Sequence, residues 1–280
     1  MRYRWLIVLA VLAGCAAVLA GCAATDKRVT PAPVVTAERA FAADGAKRGW
    51  AAAFRSYAAP EAIMLSPDPV NAHESLAKVE GDGETTLDWR PAYAGISRSG
   101  DFGFTTGPFL IRGLEGVVGH YFTVWRLQSD GTWKWIFDAG TDVVDTSPVA
   151  PDEDIPGLPV ATMGAATPQA AVADIAELEA KHTSSGTLVK LLADDARVHR
   201  PFAPRGIGIA AATALFAADG ATSFAPLRRE AALSGDMVFS MGEVRDLHEG
   251  AERLRYYARI WQRRPDGWRI VFDEIVPRRV

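Results

Sequence analysis

Two copies of one small α+β domain, set in tandem behind an export signal, are what this sequence predicts. Three features lead there. Stretches on either side of residue 150 repeat one another in register, a proline-dense break separates them, and the amino terminus places its positive charge ahead of an apolar run. A chain of 280 residues with 49% apolar side chains is long enough to bury two cores of ordinary size.

The repeat is legible residue by residue. Ser99-Gly100-Asp101-Phe102-Gly103-Phe104-Thr105-Thr106-Gly107 recurs as Ser234-Gly235-Asp236-Met237-Val238-Phe239-Ser240-Met241-Gly242. Further on, the run from Trp125 to Asp138 recurs from Trp261 to Asp273, with Thr132 as one extra residue in the first turn. Upstream, Trp89 and Pro91 fall opposite Phe224 and Pro226. Three matches in one register are an internal repeat rather than chance.

Each copy reads alike from its start. Helical spacing comes first, with Phe41 and the Trp50/Phe54/Tyr57 face in copy one, and Val172/Ile175 and Leu188/Leu191/Leu192 in copy two. A short strand follows, Ala62 to Leu65 or Ala196 to His199, stopped by Pro67 or Pro201. A variable stretch comes next, helical in copy two around Ala210 to Ala217. Three strands close each copy. The first begins after Ser-Gly-Asp, and the last two flank Asp-Gly, the strongest short hairpin signal. The resulting organisation is a signal over 1–21, a tether over 22–36, domain 1 over 37–145, a linker over 146–168 and a diverged domain 2 over 169–280. Pro148, Pro151, Pro156, Pro159 and Pro168 make the central break unsuited to helix or central strand.

Arg2 and Arg4 precede the uncharged run Trp5 to Ala20, the pattern of a secretory signal. Leu19-Ala20-Gly21-Cys22 resembles the lipobox of bacterial lipoproteins, whose cysteine is acylated. Leu12-Ala13-Gly14-Cys15 also fits, but cleavage there keeps a second apolar segment in the product, so Cys22 is the expected lipid attachment site. Three acyl chains hold stably where one holds marginally. Ala23, where an aspartate would resemble an inner-membrane retention signal, points to an outer-membrane, periplasm-facing location. Both cysteines lie in these motifs, leaving the mature protein no thiol chemistry. With 34 acidic against 30 basic residues and no basic block, nucleic acid is excluded as a partner.

Helices followed by Gly-His-Tyr-Phe-Thr-Val-Trp-Arg, then Asp-Gly, then Trp-Lys-Trp-Ile-Phe-Asp, resemble the SnoaL-like, ketosteroid-isomerase-like superfamily with the nuclear transport factor two fold. The resemblance implies two cone-shaped domains, each a curved antiparallel sheet on N-terminal helices, packed as an intramolecular pseudo-dimer. It also implies an apolar pocket inside the cone. In the isomerases a base aspartate, a tyrosine and a protonated aspartic acid do the chemistry. At the base position this chain has Ser66 and Arg200, and at the acid position Thr123 and Arg259. The tyrosine's place in copy two falls nearest Glu179. None of the three roles is filled, which argues against steroid-type isomerisation.

The remaining candidates are individually weak. Trp89, Tyr93, His120, Trp125 and Trp135 could line a pocket for a flat or apolar ligand, although core packing explains most of them equally well. His120 and Asp138 are the candidate acid–base groups, against a hydrogen-bonded strand-end histidine and an arginine-paired aspartate. His73-Glu74 reads as an exposed loop, and Asp101 and Asp236 as turn chemistry. His199-Arg200 reads either as a surface pair or as an anion-binding mouth. No metal-ligand spacing appears, and no cofactor is expected. The leading expectation is a binding module whose domain 1 keeps the pocket. The rivals are a lyase, dehydratase or isomerase in domain 1, and a scaffold subunit of an envelope complex.

Overall fold

The computed structural model describes residues 28–79, 87–112, 118–142, 144, 155–219, 223–248 and 250–278. The signal, Cys22, the first part of the tether and the first part of the linker lie outside the described residues.

Domain 1 opens with α1 (Ala32–Arg48), so helix has already replaced tether before residue 36. Val34, Glu38, Phe41 and Gly45 form its buried stripe, the spacing of a helix with one face on a core. The stripe needs glycine at 45, because a Cβ there would sit 2.5 Å from the Trp89 ring. Gly49 breaks the helix at φ 91, a conformation that favours glycine, and α2 (Trp50–Tyr57) follows at once. The chain continues through β1 (Ala58–Leu65), β2 (Pro69–Asn71), α3 (Ala72–Leu76), β3 (Leu87–Trp89) and β4 (Tyr93–Ile96). It ends in the long strands β5 (Phe102–Ile111), β6 (Gly119–Leu127) and β7 (Trp133–Asp142). His73 and Glu74 thus lie on a helical turn capped by Asn71 rather than in a loop, with Asn71 Oδ1 accepting from the Glu74 N–H.

Domain 2 repeats the plan with α4 (Pro168–Lys181), α5 (Ser185–Leu188), a 3-10 turn (Val189–Leu191), β8 (Leu192–His199), β9 (Gly206–Ile207) and α6 (Ile209–Ala218). Its last four strands are β10 (Ser223–Ala231), β11 (Met237–His248), β12 (Ala251–Arg264) and β13 (Gly267–Pro277). The strand orders correspond, β2-β1-β7-β6-β5-β3 with β4 also on β5, and β10-β11-β12-β13-β8-β9. Trp89 pairs with Phe109 and Phe224 with Val244, the register that the sequence repeat requires. The matched prolines act differently. Pro91 separates β3 from β4, whereas Pro226 is absorbed in one strand at the point where its register shifts.

The sheets are mixed, not purely antiparallel as expected. β1 runs parallel to β7, and β8 parallel to β13. The hairpin signals report only neighbours in sequence. The first strand of each domain meets the last after a crossover, and a crossover is what a parallel pair needs.

The domains pack through their sheet faces along a local two-fold relation. Phe122 stacks on Phe272 with centroids 4.3 Å apart; Phe104–Phe272 and its counterpart Phe239–Phe137 lie at 5.8 and 5.0 Å. At one edge the Ser-Gly-Asp turns exchange contacts. The Ser99 N–H donates to Ser234 Oγ and the Ser234 N–H to Ser99 Oγ, each at 3.1 Å. Asp236 accepts from the Arg98 N–H and Asp101 from the Leu233 N–H. The two aspartates therefore shape turns and also join the domains. At the other end Asp68 receives the Tyr256 hydroxyl and the Arg278 guanidinium.

Candidate functional site

Between α1, α2 and the concave face of the domain 1 sheet lies a cavity of about 430 Å³. Its walls are mostly apolar, with Phe41, Phe54, Leu65, Trp89 and Phe109 among them, and Val276 and Pro277 of domain 2 complete one side. Ser66, Tyr121 and Asp138 supply the polar side chains. Alternation along β6 turns Tyr121, Thr123 and Trp125 inward and His120 and Phe122 toward domain 2. The Thr123 hydroxyl donates to Asp138 Oδ2 at 2.6 Å, directly across the ladder.

Below this pair sits Glu38, with no exposed surface. It accepts from the Trp89 indole at 2.7 Å, from the Thr105 hydroxyl at 2.5 Å and from the Trp125 indole at 3.0 Å. Two indole donors need an acceptor on each oxygen, which a carboxyl provides and an amide does not. Burial pushes Glu38 up to about 7 against the pull of these hydrogen bonds. Burial also raises Asp138 well above the usual carboxylate range. The Thr123 hydrogen bond opposes that shift, and the neighbouring Glu38 charge reinforces it. Burial on the wall of an apolar cavity therefore favours the protonated form of Asp138.

The residues singled out in sequence separate cleanly. Trp89 and Asp138 border the cavity, and Trp125 lies one layer deeper through Glu38. Trp135 is fully buried, packs edge-on at 6.0 Å from Phe54 and is not a lining residue. Tyr93 faces domain 2, under the Arg197 guanidinium at 3.7 Å. His120 faces the same way, 5.2 Å from the His199 ring. Sequence reasoning missed Glu38, although a charge inside the apolar stripe Val34/Glu38/Phe41 was the signal that could have found it.

Domain 2 fills the equivalent space. Arg259 pairs with Ser240 and Asp273 in the ladder, as Thr123 pairs with Thr105 and Asp138. Its guanidinium is fully buried, donates to Asp273 Oδ2 at 2.5 Å and lies 4.7 Å from the Tyr257 ring. Glu179 accepts from Arg229 at 2.6 Å and from the Tyr257 hydroxyl at 3.3 Å. His199 and Arg200 are not a surface pair, being 3% and 4% exposed. His199 Nδ1 lies 3.2 Å from Glu274 Oε2. Burial first, then His120, holds His199 well below its ordinary value, and burial raises Glu274. Both shifts disfavour the charged forms of the pair.

No known family profile and no curated protein matches this chain. Solved structures do. An NTF2-like protein with a cystatin-like fold from Novosphingobium aromaticivorans is 22% identical over 37% of this chain and 79% of its own, with a TM-score of 0.30. An NTF2-like protein of unknown function from Pseudomonas putida is 17% identical over 39% of this chain and 88% of its own, with a TM-score of 0.32. A protein of the NTF2-like family from Streptomyces avermitilis is 15% identical over 40% and 98%, again with a TM-score of 0.32. Each likeness spans the extent of a single domain, and over that extent this chain is similar to NTF2-like proteins.

Proposed function

We propose that domain 1 binds a small, uncharged, apolar or aromatic molecule in its cone, and that domain 2 serves as the structural partner completing the pocket wall. The observation behind this reading is the contrast between an apolar cavity of about 430 Å³ in one domain and a buried ion-pair network at the same place in the other. A neutral ligand fits because Asp138 and Glu38 together disfavour a second negative charge. The test is titration calorimetry with 2-naphthol, a neutral aromatic with one hydroxyl. Binding is expected in the wild type and its loss in Leu65→Trp, which fills the cavity. Equal binding by both proteins rejects the site.

One observation favours a second reading, proton-transfer catalysis of the lyase, dehydratase or isomerase type. Burial on an apolar wall favours the protonated form in which a carboxyl can donate, and Asp138 has that environment. In this reading Asp138 is the acid–base residue, and Asp138→Asn keeps binding while abolishing turnover. Loss of binding and turnover together counts against it.

The envelope placement belongs to the same proposal and rests on Leu19-Ala20-Gly21-Cys22. An outer-membrane anchor with the domains facing the periplasm is expected to incorporate labelled palmitate at Cys22. The Cys22→Ala protein should remain unlabelled, and labelling that survives this substitution rejects Cys22 as the site.

A further inference from the structure

A second cavity, of about 300 Å³, opens at the mouth of domain 2. Pro277 belongs to the walls of both cavities, so they lie on two sides of the end of β13. Their linings are opposite in kind. Arg200, Arg253, Arg255 and Arg278 surround the second one, together with Asp219 and Asp246.

The carboxylates there do not balance the guanidiniums. Asp219 takes Arg200 through its Nε at 2.8 Å. Asp246 is shared by Arg253, at 2.7 Å, and Arg255, at 2.5 Å. Asp68 takes Arg278. Asp273, behind Arg200, is already neutralised by Arg259. Among the described residues, four arginines thus face three carboxylates of their own, leaving one positive charge over. The excess falls at Arg255, whose side chain is 8% exposed and whose Nε has no hydrogen-bond partner. Burial is the largest influence on this guanidinium and disfavours its charge, which a bound anion would offset.

The rest of the lining is apolar, including Leu215, Leu254 and Phe202. Phe202 is the one non-glycine residue with positive φ among the described residues, at 59°, and the residue is 71% exposed on the rim. A bulky side chain in that conformation persists only where its surroundings impose it. Here the Phe202 N–H donates to the Asp142 carbonyl of domain 1 at 3.0 Å, fixing the turn that presents the ring.

We propose that this cavity binds a small organic monoanion, a carboxylate on an apolar body, with the carboxylate at Arg253 and Arg255 and the body against Phe202, Leu215 and Leu254. One surplus positive charge matches one negative charge. The planar fork of arginine suits a carboxylate, and the exposed aromatic ring suits the body beside it. The site is separate from the neutral pocket of domain 1, and either can exist without the other.

Titration calorimetry of the purified protein with phenylacetate, phenylacetamide and inorganic phosphate tests this. Phenylacetate is expected to bind about tenfold more tightly than the amide, which has the same body without the charge. That preference should shrink as sodium chloride is raised. Arg253→Gln and Phe202→Ala change exposed side chains and should fold normally. The first is expected to weaken phenylacetate about tenfold and the second several-fold. Leu65→Trp, which fills the other cavity, should leave this binding unchanged. Equal affinity for acid and amide, no binding of either, or indifference to both Arg253→Gln and Phe202→Ala overturns the proposal. Loss of binding in Leu65→Trp, or phosphate binding as tightly as phenylacetate, also overturns it.

Discussion

The two halves of this molecule share strand order and register, yet one encloses a cavity and the other a salt bridge. The difference is concentrated at one ladder position. In domain 1 Thr123 reaches across to Asp138 with a hydroxyl, leaving room above and a carboxyl that burial pushes toward its protonated form. In domain 2 Arg259 reaches across to Asp273 with a guanidinium that occupies the cone itself. Asp138 and Asp273 are the same residue on the same backbone. What each can do depends on whether its neighbour brings a charge, so a fold shared by two domains does not give them one function.

The harshest way to break the comparison is to give domain 2 the residue of domain 1. Arg259→Thr removes the cation that Asp273 and Glu179 share, leaving Asp273 with Arg200 alone and Glu179 with Arg229 alone in a buried space. Breaking a buried pair from one side costs about 3–5 kcal/mol, mostly because of the charge left behind. Urea denaturation should show that loss, while 2-naphthol binding in domain 1 stays within twofold. A loss under about 1 kcal/mol would mean that the buried network contributes little to domain 2.

A smaller effect is expected from Glu38 and depends on pH. Its folded value, about 7, lies above its ordinary 4.5, so the folded protein holds a proton that the unfolded chain releases. Stability is therefore greatest below about pH 4.5 as far as this group is concerned, falls as pH rises toward 7, and levels off beyond it. The span corresponds to roughly 3 kcal/mol at 1.36 kcal/mol per unit. Asp138 and Glu274 are shifted in the same direction and add to the trend. Glu38→Gln should flatten the profile between pH 4.5 and 7.5 by about that amount relative to wild type. Its amide also leaves one of the indoles Trp89 and Trp125 without an acceptor, a fixed cost of about 1–3 kcal/mol at every pH. Parallel profiles for the two proteins would show that Glu38 does not carry the proton.

Much of the architecture was legible because a repeat is a statement about register. Ser99 against Ser234 and Trp89 against Phe224 placed the strands before any contact was known, and each Asp-Gly announced its hairpin. The parallel pairing of β1 with β7 was not legible, since nothing local in Ala58–Leu65 reports a partner so distant in sequence. The site divided along the same line. Strand alternation after Gly119 could have told that His120 and Tyr121 face opposite ways, but which face meets the helices and which meets domain 2 is a tertiary fact. Trp135 and Trp125 both look like pocket aromatics in sequence. Only packing shows that one is core and the other tethers Glu38. Glu38 itself was visible as a charge in an apolar stripe, but its partners come from three different strands.

The smallest effect concerns the seam that makes the halves mutual. Ser99 and Ser234 each accept the other's backbone N–H at 3.1 Å, and each hydroxyl also donates to the aspartate two residues on. Strict two-fold symmetry would make Ser99→Ala and Ser234→Ala equally costly, at about 1 kcal/mol for each lost hydrogen bond. The aspartates break that equality. Asp236 is fully buried and Asp101 is not, so removing the Ser234 hydroxyl strips a donor from the carboxylate that has less water to replace it. Ser234→Ala is therefore expected to cost about 1 kcal/mol more than Ser99→Ala. The double variant should lose less than the sum of the two, because the hydroxyls also contact each other at 2.7 Å. Chemical denaturation of the three variants measures all of this. Equal single losses that add without coupling would mean that the hydroxyls act within their own turns and not across the domain boundary.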